Sequence, residues 1–209
     1  MNKTVTTGVI TRISSRDGVT GHLSIACPLM PGKKSKAVVV VNYPTIEFNA
    51  KTAPKKVGES FRVGDRVKVE GHLASYLRKQ ADGTTVENQF VYADEVALEK
   101  PKFEKVFGVH GRIYDTQVND VYLKGVVVGI NKTNTGSGYE MYITPEGEEK
   151  NRVRFVYFRK DADFGKEVHV GATVAVVAMI QSNSTPERED KTGYDFQDIV
   201  ASDVVKMED

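Results

Sequence analysis

The sequence predicts an all-β protein made of two tandem five-stranded barrels, and three observations predict it. Apolar and polar residues alternate with period 2 in stretch after stretch, most plainly where Val67, Val69, Gly71 and Leu73 interleave with Arg66, Lys68, Glu70 and His72. Turn-forming clusters recur at roughly eight- to twelve-residue intervals, the spacing of strands in sandwiches and barrels. The pattern of the first half of the chain then returns in the second half. With 209 residues and 40% hydrophobic content the chain can form one large domain or two small ones, and the repeat selects two, residues 1–99 and 100–209.

The first strand is read at residues 4–13, TVTTGVITRI, and the second at 19–28, VTGHLSIACP, with the turn signal Arg16-Asp17-Gly18 between them. Residues 28–35, carrying Gly32-Lys33-Lys34, form a basic loop. Ala37 to Tyr43 is the third strand, apolar through Val38 to Val41. Pro44 to Glu59 is irregular or holds a short helix. Val63-Gly64-Asp65 turns the chain into the fourth strand. The segment from Lys79 to Thr84, tipped by Ala81-Asp82-Gly83, turns it back into a fifth strand with Val86, Phe90, Tyr92 and Val96. Residues 99–105 form a charged connector. FGVHGRIY, residues 107–114, is an extra strand or the opening strand of the second unit.

In the second unit, residues 122–132 (YLKGVVVGINK) echo the first strand, with Gly125-Val126-Val127 in the place of Gly8-Val9-Ile10. Tyr139 to Thr144 and Arg152 to Lys160 follow as second and third strands. HVGATVAVVAMIQS aligns with RVGDRVKVEGHLAS, setting Gly171 on Gly64 and Ser182 on Ser75. VASDVVKME aligns with VYADEVALE, setting Asp203 on Asp94. Each barrel is thus expected to carry a short helix or irregular segment between its third and fourth strands.

Composition excludes several function classes. No run of 18 apolar residues exists, so no membrane span is expected, and MNKTVTTGVITRISSR lacks an apolar core of signal-peptide length. Cys27 is the sole cysteine, which excludes an intrachain disulfide and a thiolate-rich metal site. The histidines, His22, His72, His110 and His169, lack ligand spacing, so neither metal nor cofactor is expected. No nucleophile elbow, P-loop, HExxH or CxxC occurs, and an enzyme is not expected. Gly136-Ser137-Gly138 reads as a turn between strands, and Asp161, Asp163 and Glu167 as a solvated loop without calcium-loop spacing. The formal charge is only +1, yet it is segregated. Residues 31–79 hold eleven lysines and arginines against four acids, and residues 187–209 hold eight acids against three bases.

VGDRVKVEGHL, Tyr76, a basic loop containing Asp-Gly, and YADEVALE, in that order, resemble the last two strands of bacterial-type single-stranded DNA-binding proteins. The resemblance covers about 35 residues. It implies that each five-stranded unit is an oligonucleotide-binding (OB-fold) barrel, and that the hairpin loop grips a nucleic acid strand. It also implies where contacts lie. A basic residue and an aromatic four positions on, on the third strand, match Arg154 and Phe158. Tyr43 is the analogous aromatic of the first unit. Tyr76, Arg78 and Lys79 lie where the family's hairpin covers the strand. Lys33, Lys34 and Lys36 supply cations from the preceding loop, Arg152 and Lys160 flank the second third strand, and Arg12 and His22 share the surface. Period 2 places Arg152, Arg154, Val156 and Phe158 outward if Val153, Phe155 and Tyr157 point inward; the opposite register exposes Phe155 and Tyr157, and spacing alone does not choose.

The chain departs from the family in having no tryptophan, two barrels per chain, and a final strand followed only by VVKMED, without the family's long flexible tail and its acidic recruitment ending. The expected function is sequence-tolerant binding of single-stranded DNA in replication, recombination or repair. The setting would be the cytoplasm and nucleoid of a bacterium or phage-infected cell, with a phage or mobile-element source, and self-association left open. The rival readings are a tandem OB-fold interaction scaffold and a single-stranded RNA-binding protein.

Overall fold

The structure is a computed structural model describing residues 1–28, 41–51, 56–79, 82–100, 104–107, 111–114, 117–159, 164–184 and 195–208. The first barrel begins with β1 (Asn2–Ser15), whose second half pairs with β2 (Gly21–Pro28) and whose first half pairs with β5 (Arg66–Lys79), all antiparallel. One strand serves two neighbours by coiling at Gly8, where a Cβ would lie 2.3 Å from the Ala26 carbonyl oxygen. Gly125 holds the same place in the second barrel, 2.2 Å from the Thr144 oxygen. A single side-chain atom at either position would push the strands apart.

The third strand runs on past its expected end at Tyr43. It comprises β3 (Val41–Asn42) and β4 (Thr45–Phe48), both paired with β2, so Tyr43 lies at a break inside it and residues 45–48 are strand, not irregular chain. Pro44 marks the break because it has no N–H to donate. Its carbonyl still accepts from the Ile25 N–H at 3.1 Å, and Ile46 and Phe48 keep facing the core. The expected strand residues 37–40 lie outside the described residues. α1 (Val57–Ser60) follows, and β6 (Thr85–Leu98) returns antiparallel along β5. The parallel pairing of β4 with β6, Ile46 beside Val91, closes the barrel.

Of the two readings of 107–114, the described residues fit an extra strand rather than the opening strand of the second unit. β7 (Glu104–Phe107) and β8 (Gly111–Tyr114) pair with each other as a separate two-stranded sheet. The second barrel repeats the first: β9 (Asn119–Lys132), β10 (Tyr139–Pro145), β11 (Val153–Tyr157), α2 (Phe164–Glu167), β12 (Thr173–Ser184) and β13 (Asp195–Lys206). It closes through the parallel pairing of Val156 with Val200. Val57 and Phe164 bury the two short helices in their barrels, Phe164 packing its ring 5.1 Å from Tyr139 and 5.0 Å from Tyr157. Gly64 and Gly171 make the turns into the fourth strands at φ 97° and 93°, a conformation that disfavours any side chain. The protein is all-β, and both units are OB-fold barrels.

Each fourth–fifth strand ladder contains a bulge. Gly71 pairs with Ala93 and Glu70 with Glu95, leaving Asp94 extra; Ala178 pairs with Ala201 and Val177 with Asp203, leaving Ser202 extra. Ser202, not Asp203, therefore stands where Asp94 does, one residue from the alignment by sequence. Burial sets this register, because Val96 and Val204 must both face inward.

The barrels are joined edge to edge. β1 pairs antiparallel with β9, Asn2 beside Leu123 and Thr6 beside Asn119, giving a continuous sheet β6-β5-β1-β9-β12-β13. Equivalent residues hydrogen-bond in both directions across the junction, an approximate two-fold relation like that of an isologous interface. Gln89 of the first hairpin brackets the Arg154 backbone, donating to its carbonyl at 2.9 Å and accepting from its N–H at 2.7 Å. Gln197 of the second hairpin brackets Thr45 likewise, at 3.2 and 3.0 Å. Ser75 accepts from the Arg152 N–H, and Ser182 from the Tyr43 N–H. Each barrel's hairpin is thus anchored along the other barrel's third strand.

Candidate functional site

Inward residues of the third strands define the outward ones. Val153, Phe155 and Tyr157 are in the second barrel's core, so Arg152, Arg154, Val156 and Phe158 lie on the outer side and Phe158 is 59% exposed. In the first barrel Ile46 and Phe48 face in, while Thr45 and Glu47 face out. The four outer positions His22, Glu47, Tyr92 and His72 then sit side by side across β2, β4, β6 and β5.

This row continues up the hairpin as a chain of rings. The His72 and Tyr92 rings stack at 5.8 Å, Tyr92 meets Phe90 at 6.4 Å, and Phe90 stacks on Tyr76 at 5.2 Å with the planes only 4° apart. Tyr76 is 46% exposed. His72 is held from behind by Asp94, whose carboxylate lies 2.9 Å from Nδ1. Burial pushes the Glu47 carboxyl above the usual carboxylate range, with His22 opposing, and burial likewise raises the Tyr92 phenol.

Sequence reasoning identified Tyr76 and His22 but missed His72, Phe90 and Tyr92. The return strand's Phe90, Tyr92 and Val96 share one parity and read as one face. The bulge at Asp94 inserts a residue, so Val91 and Ala93 point in on one side of it and Val96 on the other, turning Phe90 and Tyr92 outward. The usable signal was the matching pair of polar-aromatic positions on the partner strand, His72 and Tyr76.

Other expected positions are distributed as follows. Tyr43 is 51% exposed beside the second barrel's hairpin. Arg12 is exposed on β1 opposite Ser24, and Lys79 is exposed at the end of β5. Arg78 is on β5, its side chain outside the described residues, as are Lys33, Lys34, Lys36 and Lys160 altogether. Arg152 is exposed and lays its guanidinium over the Tyr142 ring, 4.1 Å from the centroid, a pairing the sequence reading missed. Arg154 departs from the expected free outward cation. It donates from Nε to Glu140 and from an Nη to Asp198 at 2.9 Å, and these carboxylates raise its already high pKa against the opposing effect of burial. Gly136–Gly138 joins β9 to β10 as a turn. Among the described residues no group of His, Cys, Asp and Glu is arranged to hold a metal ion, and no helix is long and apolar enough to cross a membrane.

The molecule thus belongs by architecture among tandem OB-fold proteins, with a ring row on the outer face of one barrel, Tyr76 exposed and the other rings half-buried, and a locked charge cluster on the other. Two solved structures share this architecture over the whole chain. The wild-type single-stranded DNA binding protein from Thermus aquaticus superposes with a TM-score of 0.67 at 14% identity, covering 100% of this chain and 94% of that one. A deletion mutant of the same protein superposes with a TM-score of 0.67 at 14% identity, covering 100% and 96%. At that identity the likeness establishes the fold. No protein-family model and no curated protein matches the sequence.

Proposed function

We propose that the chain binds single-stranded DNA with little sequence preference, the units 1–99 and 100–209 acting as two linked binding domains. The observation that carries this reading is the ring row Tyr76–Phe90–Tyr92–His72 on the outer face of the first barrel. Every base has a flat face, so a row of accessible rings accepts bases regardless of sequence, at about 1–3 kcal/mol per stacked base. Duplex DNA hides those faces. Both Thermus aquaticus neighbours are named as single-stranded DNA binding proteins, which supports the same reading. Joining the barrels in one chain makes the second contact intramolecular and raises its effective concentration. The activity is binding and protection rather than catalysis, serving replication, recombination or repair in a bacterial or phage-infected cell.

The test is a fluorescence-anisotropy titration against single-stranded DNA, duplex DNA and RNA at two salt concentrations. Single-stranded DNA should bind most tightly, with affinity that falls as salt rises. Tyr76→Ala should weaken it about tenfold or more, the loss of one stacked base, and Tyr43→Ala should weaken it too, with thermal melts unchanged. Equal affinity for RNA moves the reading to RNA. Absence of binding to all three leaves the scaffold reading standing.

A further inference from the structure

We infer that the two barrels are unequal: the first is the primary site for the strand, and the second keeps its central arginine neutralised by two carboxylates. This rests on the proposed binding of single-stranded DNA and assigns its two halves different work. Matched pairings fix which residues correspond. Glu140 stands where His22 does, Val156 where Glu47 does, Val200 where Tyr92 does and Met179 where His72 does. The row that is polar and aromatic across the first barrel is therefore acidic and aliphatic across the second. Two residues along the hairpin, on the same face, Asp198 stands where Phe90 does.

Those substitutions close a charge cluster. Arg154, at the position of Thr45, is gripped from one side by Glu140 on β10 and from the other by Asp198 on β13. One cation against two anions leaves a net negative charge where a phosphate would approach. Displacing either carboxylate exchanges one ion pair for another, so Arg154 adds little to phosphate binding. Arg152 is itself laid over Tyr142, which covers that ring's face with a cation rather than leaving it for a base. Phe158 remains exposed and available as a stacking surface. The second barrel can thus hold a strand already delivered by the first, but is poorly equipped to capture one alone.

The experiment uses the full chain with two thymidine oligonucleotides. One is about 10 nucleotides long, within the span of a single OB-fold, and one is about 40. Phe90→Ala should weaken both about tenfold or more. Phe158→Ala should leave the short strand's affinity unchanged and weaken the long one. Arg154→Ala should leave the salt slope of long-strand binding unchanged, because that arginine is already paired. The double variant Glu140→Gln, Asp198→Asn should free Arg154, tighten long-strand binding and steepen its salt slope by about one unit. A slope that drops by about one unit in Arg154→Ala, or a Phe158→Ala loss on the short strand equal to that of Phe90→Ala, overturns the inequality. Melting curves identify any variant that fails to fold, and the arginine and ring variants each decide the matter without the double one. A wild-type chain that binds neither oligonucleotide overturns the proposed function as well; tight binding with equal barrels overturns this inference alone.

Discussion

Glu47 sits between His22 and Tyr92 in the middle of the ring row, and its charge works against phosphate binding. Burial raises its pKa above 4.5, so it takes up a proton at a pH where an exposed glutamate stays ionised. The sign follows. A raised carboxyl pKa adds stability that is fully present below the unfolded value and is lost as pH rises through the folded one. Strand affinity should also rise on acidification across that window. Glu47→Gln should tighten oligonucleotide binding at pH 7 by about fivefold, roughly the 1 kcal/mol of a unit charge about 4 Å away in water. It should also flatten the affinity–pH profile where the wild-type carboxyl takes up its proton. An unchanged profile in titrations of the variant would show that Glu47 does not face the strand. In the sequence this stretch reads as irregular or helical, which does not place Glu47, and its neighbours across β2 and β6 are 25 and 45 residues away in sequence.

Each barrel's first strand leaves its ladder where the barrels meet, and a side chain takes over. Asn119, 7% exposed, donates to the Ile180 carbonyl at 2.8 Å and accepts from its N–H at 3.3 Å. Asn2 serves Leu73 in the same way at 2.7 and 3.0 Å. An asparagine fits because its amide reproduces the donor and acceptor of a peptide group. Asn119→Ala leaves both buried backbone groups unpaired and should cost about 1–3 kcal/mol per group, measured by urea unfolding. Asn119→Asp keeps the acceptor and loses the donor, so its cost should be intermediate or larger because the charge is buried. A loss under 0.5 kcal/mol for the alanine variant would mean water replaces the amide, roughly the scale of an ordinary surface change. These asparagines carried no signal in the sequence, because a polar residue opening a strand is common and its partner is known only once the ladder is formed.

At the scale of the whole molecule, the barrels share the sheet β6-β5-β1-β9-β12-β13 and hold each other's hairpins through Gln89 and Gln197. Separating them would strip backbone partners from β1 and β9 and from both third strands. Thermal unfolding followed by circular dichroism and by tyrosine fluorescence should therefore give one coincident transition. Two separated transitions would show that the barrels fold independently and that the junction contributes little. Gln89→Ala should lower the midpoint by a few degrees, as about 1 kcal/mol does in a chain of this size. It should also weaken long-strand binding more than short-strand binding, since it loosens the relation between the two sites.

The sequence alone determined the strand content, the turns at Gly64 and Gly171, and the duplication, because alternation, glycine chemistry and internal repeats are local properties of the chain. The family resemblance pointed to Tyr76 and Phe158, but the register that turns Phe158 outward stayed open until Phe155 and Tyr157 were placed in the core. What the sequence left to the tertiary structure are the pairings: which strand edge receives Gln89, which acids seize Arg154, and which face Phe90 takes. A one-residue bulge at Asp94 reverses a face, and two carboxylates from distant strands cancel a cation. Both depend on atoms brought together only when the barrels close.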